Sequence, residues 1–514
     1  MCALLALTLF LTFTLMCTAS NILVLSPTPS YSHQVPFFEL WAELSLRGHK
    51  VTLITPDPLN NSSLTNMTEI NMRHSYGLLK NNTTLAQLFA NGWNFYDVVA
   101  KYISQILATQ VPHPKFQKLI AGKDKFDLVM VSYHYPQLLV FGKLYNCPTI
   151  LFSPYYLYTY YYRGVPSHPA IWADVMLPFH TPLDFHERLI SAVFNLLAWK
   201  SILTKDIPEK EKFIIRHFNM SFSVDELVRD VDLIFVRTDP IIHGVRAFGP
   251  NIIEIGYERK PKYPKLLKVG LKEFLDNAKD GFIYFSLGSN VKSKDISRNL
   301  LKTIMEAIKE IPYTFLYKYE GDYLDEKPDN IRLVKWAPQY QILRHPNIKL
   351  FVTQGGFQSM EEAIYSAVPM VVIPFFSDQE HNGKLMESKG IAKVVNRKSL
   401  KKEELKGAIK EVLSNSSYRE AIKRLRVLAR DVPMTGLEKA IWWTEYVIRH
   451  KGAKHLRNPV ADLPLYQYYL LDVIGFLLIV VVVSVAIAYF ITKKLVMMVV
   501  MRLRVQRGSK IKSL

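Results

Sequence analysis

The sequence is poor in cysteine. Its 514 residues include three, and two of these, Cys2 and Cys17, lie in an N-terminal segment that we expect to be cleaved. The third, Cys147, has no partner left in the mature chain, so no intrachain disulfide can form, although the chain is expected in an oxidising lumen. Cys147 precedes an apolar stretch, and we interpret it as a buried structural thiol.

The chain also lacks the motifs of several common protein classes. It has no P-loop and no Rossmann G-x-G-x-x-G loop, and its histidines show no metal-ligand spacing. We therefore expect no metal site and no cofactor. The formal net charge is +19, but the basic residues are spread along the chain without an arginine- and aromatic-rich motif, so no nucleic-acid partner is expected.

Apolar segments lie near both ends of the chain. Residues 1–20 end in Cys-Thr-Ala-Ser, which predicts a cleavable signal peptide, although the usual positive start is missing. An N-terminal membrane helix is the alternative, and a strand that begins at Ile22 disfavours it. Residues 473–491 are 19 uncharged positions, enough to cross a bilayer core of about 30 Å. Because Lys493 and Lys494 follow at once, the positive-inside rule places the tail in the cytosol.

The tail carries seven Lys or Arg and no acid over the last 22 residues. Its lysines third and fifth from the end, Lys512 and Lys510, resemble the dilysine retrieval signals of endoplasmic reticulum proteins, with a generic basic tail as the alternative. Glycosylation sequons stand at Asn60, Asn61, Asn66, Asn81, Asn82, Asn219 and Asn415. We predict a single-pass type I protein of the endoplasmic reticulum membrane with its folded domains in the lumen.

Between the two ends, short apolar runs alternate with polar turns. This rhythm is typical of strands that feed helices in a parallel α/β sheet. Strands are predicted at residues 22–27, 50–56, 126–132, 232–238 and 348–353. His33 falls on the first strand-to-helix loop, where α/β enzymes place catalytic groups, although a lone loop histidine is more often a solvated surface residue.

Three short motifs lie in register within residues 336–382. They are W-x-P-Q from Trp336, T-x-G-G-x-x-S-x-x-E from Thr353 and D-Q-x-x-N from Asp378. Ligands bind parallel sheets at the carboxyl ends of the strands, where helix N-termini offer N–H groups to phosphate. Two successive strands here deliver polar residues to one crevice.

In this order and spacing, the motifs closely resemble the signature of the UDP-glycosyltransferases, in particular the membrane-bound, UDP-glucuronosyltransferase-like animal members of arthropod type. The resemblance implies the GT-B fold, an α/β architecture of two Rossmann-like doubly wound domains facing across a cleft, plus one C-terminal transmembrane helix. The predicted segments are a signal peptide at 1–20, an N-terminal acceptor-binding domain at 21–256, a linker at 257–268, a C-terminal UDP-sugar-binding domain at 269–435, a C-terminal helix and juxtamembrane segment at 436–472, a span at 473–491 and a basic tail at 492–514.

The resemblance also assigns a donor site. Trp336 would stack on the uracil, Gln339 would bond the base or ribose, and Glu362 would accept both ribose hydroxyls; without the motif, Trp336 could equally be core. Asp378 and Gln379 would hold the sugar hydroxyls. Donors to the pyrophosphate would be Ser286, Ser289, Gly355, Gly356 and Ser359.

The chain departs from the family's pattern at several positions. Most relatives have histidine where this chain has Gln354, a neutral amide that can still donate to phosphate, and Gln358 replaces a small amide or polar residue. The family pairs its catalytic histidine, here His33, with an acid whose place Ser132 holds. Ser132 can hydrogen-bond the imidazole but cannot stabilise its charge. His134 would share that strand face if the strand continued, yet it is no substitute for a carboxylate.

The implied reaction moves a hexosyl group, glucose more than glucuronic acid, from a UDP-sugar co-substrate to the hydroxyl of a small lipophilic acceptor, with inversion, as in detoxification or hormone conjugation. The tyrosine-rich run 155–162 either lines the acceptor pocket or forms a packed belt. The missing acid leaves one rival: a catalytically impaired UDP-sugar or lipophile carrier of the same fold. The intact donor motif favours an enzyme, and a homo-oligomer remains open.

Overall fold

The computed structural model describes residues 19–78, 95–156, 165, 172–256 and 267–511. Most of the predicted signal peptide, most of the linker and most of the tyrosine-rich run lie outside these residues. The chain divides into two units, residues 1–458 and 459–514. The finer domain boundaries given above stay predictions.

A seven-stranded parallel sheet occupies the N-terminal half of the first unit, in the order β3-β2-β1-β4-β5-β6-β7. Its strands are β1 Asn21–Leu25, β2 Lys50–Thr55, β3 Met67–Asn71, β4 Leu128–Ser132, β5 Thr149–Ser153, β6 Leu233–Val236 and β7 Ile252–Glu254. The central strands are covered on both faces, which is why they read as continuous apolar runs. All seven strands are parallel, but the order in which the chain adds them reverses between β1 and β4. The loops that leave these two strands therefore flank one crevice at the carboxyl end of the sheet.

Helices cover this sheet. They are α1 Tyr31–Gln34, α2 Phe38–Leu46, α3 Phe95–Gln110, α4 Pro114–Ile120, α5 Val140–Tyr145, α6 Phe185–Ser201, α7 Ile207–Phe218, α8 Val224–Arg229 and α9 Pro240–His243. Sequence reasoning missed β3, because this edge strand is polar and buries only Ile70 fully. Cys147 is half-buried rather than fully buried, and burial raises the pKa of its thiol to about 12.

A six-stranded parallel sheet follows, in the order β10-β9-β8-β11-β12-β13. Its strands are β8 Phe282–Ser286, β9 Thr314–Lys318, β10 Ile331–Val334, β11 Ile348–Thr353, β12 Met370–Val372 and β13 Ala392–Val394. Its helices are α10 Val269–Asp276, α11 Arg298–Lys309, α12 Gln339–Leu343, α13 Phe357–Ser366, α14 Gln379–Ser388, α15 Lys402–Ser414 and α16 Ser416–Arg430. The order in which the chain adds these parallel strands reverses between β8 and β11, so the loops that leave these two strands again flank one crevice at the carboxyl end of the sheet.

The last helix of the first unit, α17 (Gly436–His450), returns to the N-terminal sheet. Ala440, Ile441 and Val447 on this helix are buried in the same apolar cluster as β1 and β4. A Cβ at Gly436 would lie 1.6 Å from the carbonyl oxygen of Ile255, so only glycine allows the helix to begin this close to the strand. The helix therefore ties the end of the C-terminal half to the N-terminal core.

The second unit contains α18 (Leu465–Tyr468) and α19 (Leu471–Ile511). Residues Leu471–Arg504 of α19 form the one helix in the described part of the chain that is long and apolar enough to cross a membrane, with a mean hydropathy of 3.0 in its most apolar window. It contains the predicted span, residues 473–491. The helix indicates a single-pass membrane protein.

Candidate active site

A cavity of about 420 Å³ lies between the two sheets of the first unit, at the carboxyl ends of their strands. Residues from both halves of the first unit line it. It is lined by every site residue predicted from the sequence except Ser132 and Gly355. Residues that are about 300 positions apart in the chain therefore share one space.

On the C-terminal side, three predicted donor residues form a hydrogen-bonded set. Gln339 opens α12, while Ser359 and Glu362 lie one turn apart on α13. The amide nitrogen of Gln339 donates to Oε2 of Glu362 at 2.8 Å and to Oγ of Ser359 at 3.1 Å. The carboxylate of Glu362 is buried, and the amide of Gln339 holds it in position.

The turn between β11 and α13 depends on glycine. Gly355 has a φ of +84°, and a Cβ there would lie 2.7 Å from Val372 and 3.0 Å from the carbonyl oxygen of Gln379. Gly288, in the loop after β8, has a φ of +75° and faces the side chain of Gln354, whose Nε2 would lie 2.5 Å from an added Cβ. Ser286 accepts a bond from the N–H of Gly288 at 3.3 Å, so this predicted phosphate ligand shapes its loop.

The same turn presents the N-terminus of α13 to the cavity. Gly356 is the N-cap residue and supplies no side-chain hydrogen bond to the first turn. The first backbone N–H groups of the helix, near Gln358 and Ser359, thus have no side-chain acceptor from the cap, and the helix dipole favours an anion there. The side chain of Gln358 crosses the cleft and donates to the backbone carbonyl of Ser32, next to His33.

Asp378 and Gln379 close the opposite end of the donor side. Asn382 is fully buried and donates to Oδ2 of Asp378 at 2.8 Å and to the carbonyl of Gly355 at 3.0 Å. Burial raises the pKa of Asp378 to about 6, against the lowering effect of the Asn382 hydrogen bond. Oε1 of Gln379 accepts from the N–H of Phe375 at 2.8 Å. Asn382, interpreted above only as part of the motif, fixes both the turn and the carboxylate.

Trp336 is 61 % exposed and lines the cavity, so it is not part of the core. The ring of Tyr31, from the N-terminal half, meets it edge-on with centroids 6.0 Å apart. Nζ of Lys318, at the end of β9, lies 5.6 Å from the Trp336 ring centroid and donates to the carbonyl of Gly288 at 2.9 Å. Lys318 is thus a site residue that sequence reasoning missed; its position at the end of a strand was the only signal.

On the N-terminal side, His33 lies in α1, directly after β1, and lines the cavity. Burial lowers the pKa of His33 to about 4. Ser132 ends β4, is 3 % exposed and does not line the cavity. The strand does not continue to His134, because a turn begins at Ser132 and is closed by a 2.9 Å hydrogen bond from the N–H of Tyr135 to the carbonyl of Ser132. His134 lies in this turn, and its Nε2 is hydrogen-bonded to the hydroxyl of Tyr155.

The remaining wall of the N-terminal side is apolar and aromatic. Helix α3 supplies five side chains spaced along one face, Phe95, Tyr96, Val99, Tyr102 and Ile103. Sequence reasoning assigned no role to this helix, although the three- and four-residue spacing was visible in the sequence. Of the tyrosine-rich run, Tyr155 lines the cavity and Tyr156 packs between the two halves.

Buried contacts join the two halves beneath the cavity. Arg237, which follows β6, forms a 2.6 Å ion pair with Glu361 on α13, and both side chains are almost completely buried. The ring of His243 stacks on Phe357 at a centroid distance of 4.3 Å. The hydroxyl of Tyr156 donates to Oδ1 of Asn382 at 3.1 Å. Glu361 and Phe357 therefore hold helix α13 against the N-terminal half.

Comparisons with known proteins assign the chain to a family. The family described as UDP-glucoronosyl and UDP-glucosyl transferase matches residues 21–508. The chain belongs to this family. As a UDP-glycosyltransferase it transfers a sugar from a UDP-sugar, and the family predicted from its motifs is confirmed.

Similar proteins come from insects and mammals. This UDP-glycosyltransferase is 32 % identical to UDP-glycosyltransferase UGT4 of Dactylopius coccus, over 89 % of the chain and 91 % of that relative. It is 30 % identical to UDP-glucuronosyltransferase 2B33 of Macaca mulatta, over 87 % of the chain and 88 % of the relative. The solved structure of TcCGT1 in complex with UDP is similar with a TM-score of 0.58 at 13 % identity, covering 84 % of the chain and all of that structure. The GT-B fold is confirmed.

Proposed function

We propose that this transferase moves glucose from UDP-glucose to the hydroxyl of a small lipophilic acceptor, preferably a phenol, with inversion at the anomeric carbon. The observation that carries the proposal is the shared cavity, in which His33 faces the Gln339–Ser359–Glu362 set. One wall is built to hold a polar ligand, and the other combines a neutral imidazole with aromatic surface. A nucleotide sugar and a lipophilic alcohol or phenol match these two walls.

The donor would occupy the C-terminal wall. Uracil would stack on the exposed face of Trp336, and the two ribose hydroxyls would donate to the carboxylate of Glu362. The diphosphate would lie at the N-terminus of α13, where the backbone N–H groups and the hydroxyls of Ser359 and Ser289 donate. The sugar hydroxyls would then reach Asp378 and the amide nitrogen of Gln379.

Charge favours glucose over glucuronate. Among the described residues that line the cavity, Lys318 is the only lysine or arginine, and it lies beside Trp336 at the nucleotide end. The sugar end offers Asp378 instead. A glucuronate carboxylate there would be desolvated next to another acid without a cation to pair it, which is unfavourable.

The reaction would be a single displacement. The acceptor hydroxyl loses its proton to His33 while its oxygen forms a bond to the anomeric carbon. The bond from that carbon to the β-phosphate oxygen breaks, and its electron pair leaves with UDP. Since burial lowers the pKa of His33 to about 4, the imidazole is neutral at physiological pH and ready to accept a proton, but it is a weak base.

A weak base favours acidic acceptors. Phenols require less proton transfer in the transition state than aliphatic alcohols, so phenols are the expected substrates. The aromatic side chains of α3 and Tyr155 give them an apolar, planar surface to bind. Ser132→Asp would restore the family's carboxylate and should raise the turnover of alcohols more than that of phenols.

The test is a donor and acceptor matrix with the full-length protein in membranes. UDP-glucose and UDP-glucuronate are each offered with matched phenol and alcohol acceptors of equal size, and product is quantified by mass spectrometry. Glucoside formed on the phenol is the expected result. Glucuronide as the main product would refute the donor assignment, and equal turnover of phenol and alcohol would refute the acceptor preference.

A carrier without catalysis is the second candidate, and the loss of the acid partner at Ser132 is what favours it. The same matrix separates the two functions when UDP binding is measured in parallel. Micromolar UDP affinity with no product from any pair would establish the carrier. His33→Ala distinguishes them further, because it should abolish transfer by an enzyme and leave a carrier unchanged.

We also propose that the first unit lies in the lumen of the endoplasmic reticulum and that α19 is its anchor. The sequon asparagines that the structure describes, Asn60, Asn61, Asn66, Asn219 and Asn415, are all exposed, so each could carry a glycan. Sensitivity of the protein's mobility to endoglycosidase H tests this placement. A chain that gains no glycan in cells, and whose first unit is cleaved by protease added to intact microsomes, would contradict it.

A further inference from the structure

Among the described residues, His33, the proposed base, has no acid partner. Its Nδ1 atom is buried, and no described residue forms a hydrogen bond with it. Ser132, at the position of the family's acid, makes no hydrogen bond to His33 within the described chain and does not reach the cavity. When His33 takes a proton it becomes a buried cation, which is unstable unless some other group stabilises it.

Two side chains from the same sheet edge surround the His33 ring. The ring of Tyr155 lies 5.3 Å from it, centroid to centroid, at an interplanar angle of 72°. The ring of His134 lies 5.7 Å away, tilted by 39°. His134 follows β4 and Tyr155 follows β5, and these two strands are hydrogen-bonded neighbours with Ser132 opposite Phe152. The backbone of the sheet therefore fixes the spacing of the three rings.

The hydroxyl of Tyr155 forms a hydrogen bond with Nε2 of His134. Burial lowers the pKa of His134 to about 3, so this imidazole is neutral, and its Nε2 can accept a hydrogen bond from the phenolic hydroxyl. A phenol that donates a hydrogen bond has a more electron-rich ring, and such a ring attracts a cation at its face more strongly. The pair thus places an electron-rich aromatic ring, rather than a carboxylate, in T-shaped contact with His33.

We propose that Tyr155, held in position by His134, stabilises the imidazolium of His33 through its aromatic ring and so replaces the missing acid. The 5.3 Å centroid separation is inside the distance of about 6 Å at which cation–π attraction is significant. One proton moves, from the acceptor to His33; the phenolic proton stays on Tyr155 and His134 stays neutral. Tyr155 acts through His33 and is a positioning and stabilising residue. The inference rests on the proposed role of His33 as the base.

The test compares Tyr155→Leu, Tyr155→Phe and the wild type on a series of phenols of equal shape and graded acidity. Loss of the ring should lower kcat by about 30-fold on the least acidic phenol and by much less on the most acidic one. Tyr155→Phe keeps the ring but loses the bond to His134, so its loss should be smaller, about threefold. The affinity for UDP, measured by calorimetry, should be unchanged in both variants.

Tyr102→Leu is the matched control. Tyr102 is another cavity tyrosine, on α3, and its change should raise KM for the acceptor without altering how kcat depends on acceptor acidity. If Tyr155→Leu behaves in the same way, or lowers kcat equally for every phenol, Tyr155 is only part of the apolar wall and the inference is wrong.

A rescue variant adds a second readout. Ser132→Asp would supply a carboxylate, so Tyr155→Leu should matter less in that background than in the wild type. An equal loss in both backgrounds would also overturn the inference. A wild type that glycosylates no phenol would refute the proposed function instead, before the role of Tyr155 is reached.

Discussion

The two walls of the cavity are built in different ways. The donor wall consists of side chains already hydrogen-bonded to one another, with Gln339 on Glu362 and Asn382 on Asp378, and all lie within 44 positions of the chain. The acceptor wall is made of aromatic rings from α1, α3 and the loops after β4 and β5. The proposed base on this wall, His33, has no described hydrogen-bond partner at Nδ1.

The difference follows from what each wall is proposed to bind. A nucleotide diphosphate has a fixed set of charges and hydroxyls, and preorganised partners bind it without reorganisation. A lipophilic acceptor offers one hydroxyl and variable apolar surface, for which rings of adaptable packing suffice. The following predictions concern substitutions in one wall, or in the contacts between the walls.

The largest effect is expected at His33. His33→Ala should lower kcat by about 10³-fold, since general-base catalysis contributes roughly 10²–10⁴. UDP affinity should not change, because the donor wall is intact. Single-turnover rates with a phenol, together with calorimetric UDP binding, measure both quantities. A fall of less than tenfold in rate would show that the acceptor wall holds a different base.

The next largest effect is expected at the buried ion pair that joins the two halves beneath the cavity. Arg237→Met leaves the Glu361 carboxylate buried without its cation and should lower the free energy of unfolding by about 3–5 kcal/mol. The double variant Arg237→Met/Glu361→Leu removes both charges and should recover most of this loss. Thermal unfolding of the three proteins in detergent tests this. A single variant as stable as the wild type would mean that the pair does not hold α13.

Glu362→Gln should weaken the donor wall alone. A hydrogen bond to a charged group contributes about 1.5–3 kcal/mol, so UDP should bind roughly 10- to 150-fold more weakly. The rate at saturating UDP-glucose should change much less. Glu380→Gln, an exposed acid on α14 outside the cavity, is the control and should bind UDP normally. Equal affinity in the two variants would contradict the ribose assignment.

The smallest effect concerns pH. Because burial raises the pKa of Asp378 to about 6, the group gains a proton as the pH falls through 6 and can no longer accept from two sugar hydroxyls. The kcat/KM for UDP-glucose should therefore fall below about pH 6. Asp378→Asn should have a lower kcat/KM at every pH but should not show the fall below pH 6. Its kcat/KM should decline only near pH 4, where His33 becomes protonated. An unchanged pH profile in the variant would show that another group titrates.

Sequence patterns predicted which C-terminal residues line the cavity, because these residues lie close together in the chain. Strand, glycine turn and helix follow one another within residues 348–366, so the spacing of Gly355, Ser359 and Glu362 already defines which side chains share a face. The strands of the second sheet were found for the same reason, as apolar runs bounded by turns. The polar edge strand β3 was missed, since it carries no such signal.

The acceptor wall could not be predicted in this way. The turn that places His134 beside Tyr155 depends on where β4 ends, and a one-residue difference in that end moves a side chain to the other face of the sheet. Lys318 reaches Trp336 only because β9 lies beside β10, the strand that precedes Trp336. Arg237 and Glu361 are 124 residues apart in the chain, so no short sequence pattern indicates that they pair.

The sequence by itself determined the family, the parallel α/β class and most of the C-terminal residues that line the cavity. These features depend on short-range spacing and on glycine at particular turns, which can be seen in the order of residues. The tertiary structure alone decided which groups surround the base, which contacts hold the halves together and which side chains form the acceptor wall. These depend on the packing of distant segments, and that packing is set by the burial of apolar surface over the whole unit rather than by any one stretch of the chain.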